Sequence, residues 1–441
     1  MSLPIQMILS SPTILKESHN NLPSLWNPSW SEDDAVLDVF YEDPLYDELR
    51  RIKNKIDDDK YRKKWDLYKK YFNPFEFIHV SGNINRREEN VAFYIPLSRS
   101  YFKMWEMITD FQLVSTDHTA VAWKSAHLAE GPGGFIEAVC QYRKRHHPCS
   151  FSTIGSDEYH AITLKSSCQN KDIPGFNRHH SFLKKNPSVR IHYGQDNTGN
   201  LYNTSNIHSF IQEVGKESCD LVTADGGFDF SINFNSQEYL SLPLLFSQII
   251  TALPLLKQNA HFILKMYDTT LYCSAELIWM IQHFFQEVIL YKPVTSRPAN
   301  SEKYLIAKYF QGYSSSLYES MLELHSKKFT SISSINRFFP SQTFPPCFAQ
   351  ALYDYNTLHT QQQLTITKRI ITFIDNDCIH SPVASVASSC FPPFTHYPIT
   401  LRDSILHSIQ LCVDWCVRYQ IAVNRHCKYL TCCSSFKEKI G

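Results

Sequence analysis

The chain has 441 residues, 43% of them apolar and 20% charged, and its 43 basic and 43 acidic side chains leave no net charge. That is the composition of a soluble globular protein with one large core plus appendages, or two to three domains. It excludes a global electrostatic field for holding nucleic acid, so such a partner needs a local patch. No stretch approaches the roughly 18 uninterrupted apolar residues of a membrane span. The start, Met1-Ser-Leu-Pro-Ile-Gln, lacks the basic-then-apolar pattern of a secretory signal. The 13 cysteines are scattered, adjacent only at Cys432-Cys433, and read as reduced thiols of an intracellular protein.

Residues 1–92 form a polar extension whose densest feature runs from Arg50 to Lys70. Ten Lys/Arg face four Asp there, with Tyr61, Trp65, Leu67, Tyr68 and Tyr71 interleaved. This is an amphipathic helix with either a merely solvated basic face or a phosphate-tracking surface. Residues 93–312 alternate apolar runs with helical patterns, the mark of an α/β domain. The runs predict strands at Ala120–Leu128, Phe151–Gly155, Val189–Tyr193, Asp220–Ala224, His261–Lys265, Glu287–Tyr291 and Tyr304–Tyr309. Helices are predicted at Ile136–Lys144, Ile207–Val214, Glu238–Leu256 and Ala275–Phe285. Residues 313–441 open with a Ser-rich linker and continue as a helical extension, with segments around Gln361–Ile374 and Leu401–Tyr419.

Within the α/β domain the first strand stops in Glu130-Gly-Pro-Gly-Gly134 and a helix begins at Phe135. Glycines let a backbone approach a ligand closely, and the first helical N–H groups point into the gap. The spacing is not that of a pyrophosphate loop; it suits a ligand without a diphosphate, such as S-adenosylmethionine. A second strand ends in Ala224-Asp-Gly-Gly-Phe228, which puts the Asp225 carboxylate where open α/β sheets bind ligands. Phe262-Ile-Leu-Lys265 ends an apolar strand on a lysine, and Ser296-Arg-Pro-Ala-Asn-Ser-Glu-Lys-Tyr304 leads into the last strand. Before the first strand, Ser98-Arg-Ser-Tyr-Phe-Lys-Met-Trp-Glu106 reads as a helix carrying Lys103.

With Asn73-Pro-Phe-Glu-Phe-Ile78, these segments resemble the FtsJ/RrmJ class of ribose 2′-O-methyltransferases over about residues 74–310. Within that class they look most like mRNA cap enzymes, including those of large cytoplasmic DNA viruses. The resemblance implies a Rossmann-like S-adenosylmethionine-dependent methyltransferase domain with a seven-stranded, mostly parallel sheet. It implies a catalytic tetrad of Lys103, Asp225, Lys265 and Glu302, with Lys124 a less favoured alternative for the first lysine. Donor contacts fall on Glu130, Gly131, Pro132, Gly133, Gly134, Phe135, Asp157, Asp196 and Asp225, and RNA contacts on Arg297, Asn300 and Ser301. Asp157 is the candidate for the ribose hydroxyls; an Asx-turn is the other reading of the Asp196 loop.

Ribose methylation removes a weakly acidic proton as the oxygen attacks an activated methyl group. A neutral lysine can take that proton if burial and a like charge lower its pKa. Lys265 is the expected base, with Lys103 as the neighbour lowering it, and Asp225 and Glu302 orienting both. The implied cofactor is S-adenosylmethionine, without a metal. The implied partner is the capped 5′ end of mRNA, together with other capping enzymes or transcription machinery, with no membrane, in host cytoplasm or a virion. Ribosomal or transfer RNA as substrate, and an inactive RNA-binding subunit, are the alternatives. In the tail, Cys412, Cys416, His426, Cys427, Cys432 and Cys433 have the spacing of helix-buried thiols rather than of paired zinc knuckles.

Overall fold

The structure is a computed structural model describing residues 5–8, 22–30, 37–80, 87–115, 122–146, 157–166, 175–176, 180–227, 234–328, 334–380 and 399–431. The strands are β1 (Ile5–Ile8), β2 (Ser29–Trp30), β3 (Lys124–Leu128), β4 (Glu158–Ile162) and β5 (Val189–His192). They continue as β6 (Cys219–Ala224), β7 (Leu256–Met266), β8 (Phe285–Lys292), β9 (Lys303–Phe310) and β10 (Ile335–Arg337). One eight-stranded sheet runs β1-β8-β9-β7-β6-β3-β4-β5, and β2 pairs with β10 apart from it. The strands β3–β9 are the seven of a Rossmann-like methyltransferase domain. Within them β9 runs antiparallel to both neighbours, while β5, β4, β3, β6 and β7 are mutually parallel.

The N-terminal extension contributes α1 (Leu22–Leu25), α2 (Pro44–Ile56) and α3 (Asp59–Tyr71). The domain holds α4 (Ser100–Phe111), α5 (Gly134–His146), α6 (His180–Lys185), α7 (Thr204–Val214), α8 (Gln237–Ala252) and α9 (Tyr272–Gln282). Beyond it lie α10 (Ser315–Lys328), α11 (Pro346–His380), α12 (Ile399–Arg418) and α13 (Lys428–Thr431). Each sheet face has its own core, because strand side chains alternate. Ile263 and Ile306 face α4 and α5, whereas Phe262, Leu264 and Leu305 face α8 and α9. The first core does not stop at the domain: Trp65 and Tyr68 of α3, and Ile370, Ile409 and Trp415 of α11 and α12, belong to it. Gln237–Leu255 is apolar and long enough to cross a membrane, but most of it is buried against the sheet and α10.

Several elements depart from the expectation. The basic stretch is two helices, broken at Asp57-Asp58, where the Asp58 carboxylate accepts from Lys60 N at 2.8 Å and caps α3. Strand β4 breaks the apolar rule with two polar side chains, Glu158 and His160. Burial of His160 is tolerated because its ring bonds His192 at 3.0 Å and Glu158 at 3.4 Å. The predicted strand at Phe151–Gly155 lies outside the described residues. β1 adds an eighth strand from the N-terminal extension, antiparallel to β8.

The strand order reverses at β3, which pairs β4 on one side and β6 on the other. A crevice opens at the C-terminal ends of strands where such a reversal occurs. The glycine turn after β3 and Asp225 after β6 both empty into it.

Candidate active site

The turn after β3 is built to bring backbone close to whatever fills the crevice. Gly133 has φ +110°, and a Cβ there would stand 2.6 Å from the Phe176 ring and 3.0 Å from Leu97. At Gly134 a Cβ would meet the Ser98 and Ser100 hydroxyls at 2.2 and 2.1 Å, so this glycine seats α5 against the start of α4. The Gly131-Pro132 peptide is cis, and Gly131 N donates to Thr163 Oγ1 at 3.0 Å, tying the turn to the end of β4. Glu130 is buried, and its Oε1 accepts from Phe135 N and Ile136 N at 2.8 and 2.9 Å, capping α5. Its Oε2 is buried without a partner among the described residues. Burial, with the field of Asp225, raises this carboxyl well above its ordinary value. An orphaned carboxylate oxygen beside Asp225 fits a ligand carrying positive charge, as the sulfonium and ammonium of S-adenosylmethionine do.

The four tetrad candidates come together through a fifth residue. In the antiparallel pairing of β7 and β9, Lys265 lies directly opposite Tyr304. The Tyr304 hydroxyl donates to Asp225 Oδ1 at 2.8 Å and accepts from Lys103 Nζ at 3.5 Å. Lys265 Nζ donates to the Asp225 carbonyl at 2.8 Å and stands 3.3 Å from its Oδ1. Lys103 Nζ is 2.5 Å from Glu302 Oε1, which also accepts from Ser296 Oγ at 2.8 Å. Two ion pairs are thus joined across the fully buried Tyr304, whose ring lies 5.8 Å from that of Phe135 in the glycine turn. Room for Lys265 depends on Gly227, where a Cβ would lie 2.9 Å from the ammonium and 2.5 Å from the Tyr267 hydroxyl.

The loop from Lys292 to Glu302 is held by three buried groups. Glu106 accepts from Val294 N at 2.8 Å, Tyr291 OH at 2.6 Å and Trp415 Nε1 at 3.3 Å, and burial pushes its carboxyl up to about 7. Glu76, from the Asn73–Ile78 segment, takes Arg297 Nε and Nη2 at 3.0 and 2.8 Å. Burial favours neutral Glu76, yet Arg99 and Arg297 outweigh it and hold the carboxyl at about 2. Lys292 donates to Asn300 O, Asn300 Oδ1 and Glu302 O at 2.9, 2.9 and 2.7 Å. Arg297, Asn300 and Ser301 border a cavity of about 100 Å³, shared with Lys53, Trp65 and Gln363 from outside the domain. All three are tied within the protein, Ser301 through Gln237 at 2.8 Å.

Three expectations need correction. Asp157 precedes β4, at the N-terminal end of the parallel strands and so at the opposite end from the crevice, and pairs with Arg143 at 2.9 Å while accepting from Trp123 N. It braces α5 and does not face the donor crevice. Lys124 opens β3 at that same far end, bonded to Glu158 at 3.0 Å, which leaves Lys103 as the first lysine of the cluster. Lys265 is not lowered. Burial opposes its charge, but Asp225, Tyr267 and Glu302 prevail and raise its pKa above the ordinary lysine value. Lys103, already paired with Glu302, does not offset them. Asp196 does lie after β5, but its carboxylate accepts from Thr198 N and the Asn203 and Asn206 amides, so it shapes its own loop. Cys412, Cys416 and Cys427 are buried thiols that form no disulfide among the described residues, Cys412 donating to Pro74 O at 3.5 Å, and Cys432 and Cys433 lie outside the described residues. Tyr304, Ser296, Glu76 and Lys292 were missed as site residues. Ser296 opens and Tyr304 closes the very string that pointed to Glu302, and the polar ends of the apolar strands β8 and β9, Lys292 and Tyr304, were the signal.

The fold is that of the Rossmann-like S-adenosylmethionine-dependent methyltransferases. Residues 96–310, just under half of the chain, match the FtsJ-like methyltransferase family. Over 337 residues it is 26% identical to mouse cap-specific mRNA (nucleoside-2′-O-)-methyltransferase 2, covering 75% of this chain and 41% of that protein. It is 30% identical over 240 residues to the Drosophila melanogaster cap-specific mRNA (nucleoside-2′-O-)-methyltransferase 1, covering 54% of this chain and 28% of that protein. The chain thus spans less than half the length of these relatives. A solved ribosomal RNA methyltransferase from Plasmodium falciparum is 16% identical, with 49% of this chain and 98% of that one covered and a TM-score of 0.33.

Gly133→Val forces a branched side chain into a left-handed backbone and against Phe176, and should abolish donor binding in calorimetry while the melting transition survives. Unchanged donor affinity in a folded variant would remove this turn from the donor site. For Lys265 the raised pKa sets the sign of the pH response. The neutral fraction of a base grows about tenfold per pH unit below its pKa, so kcat/KM for the donor, which reports the free site, should climb log-linearly from pH 7 to 9. Lys265→Ala should lose more than nine-tenths of turnover, about 1.4 kcal/mol or more. A kcat/KM independent of pH over that range, or turnover retained in the alanine variant, would rule Lys265 out as the base.

Proposed function

We propose that this chain is an S-adenosylmethionine-dependent RNA ribose 2′-O-methyltransferase acting on the first transcribed nucleotide of capped mRNA. The observation that carries the reading is the joined Lys103–Glu302 and Lys265–Asp225 pairs beside a glycine turn that suits the methyl donor. The donor supplies a methyl group already activated by its positive sulfur; the chain supplies position and a proton acceptor. Lys265 holds its proton in the free site because Asp225 does not release it. A cationic ligand against Asp225 competes for that carboxylate and lowers the ammonium pKa, so donor binding itself primes the base. Lys103, neutralised by Glu302, is placed to contact the nucleotide rather than to tune Lys265.

The cap as target is supported by the names of the relatives and by the extensions, since an α/β core alone makes no wall for a long substrate. On one side of the site α2 borders a groove of about 870 Å³ with Tyr41, Tyr46, Arg50, Arg51, Asn54 and Tyr239 in its walls. Not every basic residue of that stretch is available: Lys53 is buried against Asp268 at 3.4 Å, and Lys60 pairs with Asp375 at 2.6 Å. Arg50, Arg51 and Lys63 are exposed and form the phosphate-facing candidates. A cytoplasmic setting, in a host cell or a virion, with capping or transcription enzymes as partners, is part of the same proposal. Ribosomal or transfer RNA as substrate stays the second reading.

Labelled donor with capped, uncapped and already 2′-O-methylated short RNAs tests the proposal. Capped RNA should take label, and the 2′-O-methylated capped RNA should take none. Equal labelling of capped and uncapped RNA would redirect the reading to other RNAs, and no labelling of any would overturn it. Reversing the charges of Arg50, Arg51 and Lys63 should weaken RNA binding and lower its salt slope by roughly 0.7 for each lost phosphate contact. An unaltered slope would make that face merely solvated.

A further inference from the structure

Lys292, the last residue of β8, is buried, and no carboxylate lies within ion-pair distance of it among the described residues. Its three contacts are neutral oxygens: the carbonyl and side-chain oxygens of Asn300 and the carbonyl of Glu302. Burying an ammonium is costly, and among the described residues no carboxylate within ion-pair distance offsets that cost. Here the cost is visible, since burial together with Lys303 and Lys103 lowers the ammonium to about 7 despite the pull of Glu302. Fold stability alone therefore gives no reason for a lysine at this position. What its three bonds do is fix the backbone on either side of Ser301, immediately beneath Glu302. Glu106 holds the start of the same loop and Glu76 its middle through Arg297; Lys292 is the contact nearest the tetrad.

We propose that Lys292 is a positioning residue for methyl transfer, holding the Asn300–Glu302 segment so that Glu302 meets Lys103, at the expense of fold stability. The proposal rests on the RNA methyltransferase reading of the site. Its signature is that activity and stability move in opposite directions, which a lysine that merely fills space cannot produce.

Lys292→Met keeps the shape and removes the donors. The variant should melt at or above the wild-type temperature, with donor affinity within two-fold, while kcat on capped RNA falls at least tenfold and the KM for RNA rises. Lys292→Gln, which restores an N–H pair aimed at the same carbonyls, should recover part of the loss. Wild-type kcat and KM in Lys292→Met would overturn the proposal, as would a loss of activity that follows a lowered melting temperature and weakened donor binding. Hydrogen exchange of residues 296–302 gives a readout independent of activity: it should quicken in Lys292→Met and less in Lys292→Gln. Unchanged exchange would refute the loop-holding role even if Lys292→Met proved inactive. Wild-type protein that methylates no RNA, yet shows the exchange difference, would instead sink the reading of the function and leave the loop contact standing.

Discussion

The antiparallel pairing of β7 with β9 is the constraint on which the site depends. It sets Lys265 opposite Tyr304 and so fixes where Asp225, just past the end of the neighbouring parallel strand β6, meets both. A one-residue slip would turn every side chain of β9 to the other sheet face. Tyr304 would leave for the core around α8 and α9, and the two ion pairs would lose their link. Register here is held by apolar neighbours on both faces, Ile263 with Ile306 on one and Leu264 with Leu305 on the other. The same core packing that stabilises the sheet therefore aims the chemistry.

Charge in the tetrad is arranged so that each of its four groups has a partner. Each lysine has its carboxylate, and Tyr304 shares Asp225 Oδ1 with Lys265. The arrangement is fully satisfied without ligand, which is why Lys265 is raised rather than lowered. A site poised in this way awaits a cation to unbalance it, and the unpartnered Glu130 Oε2 marks where positive charge is still missing. The surrounding loop is strained for charge as well: Glu106 is driven up, Glu76 held down, and both serve the 294–297 segment.

Much of this was legible in the sequence, and the reasons for what was not are physical. Strands buried on both faces, parallel or antiparallel, appear as apolar runs, which made β6, β7, β8 and β9 readable. β4 was obscured because Glu158 and His160 satisfy each other and His192 within the sheet, a compensation invisible in one dimension. The tetrad residues were legible because charges at the ends of apolar strands have no packing role. Asp157 carried the same kind of signal but sits at the wrong end of its strand, and only the observed start of β4 at Glu158 reveals that. Lys265's pKa was misjudged because proximity of Lys103 says nothing about whether Lys103 is already neutralised. The extensions were seen as appendages, yet Trp65, Ile370 and Trp415 complete a core begun by α4.

The central claim is that the two ion pairs act as one catalytic unit through Tyr304. Groups that work as a unit lose function together, so removing a second member costs little more than removing the first. The direct measurement is single-turnover methyl transfer in Lys103→Met, Asp225→Asn and the double variant, with donor and RNA saturating. The account predicts that the double variant is about as slow as the worse single one, although the two residues belong to different ion pairs. Losses that multiply, each variant acting independently of the other, would contradict it.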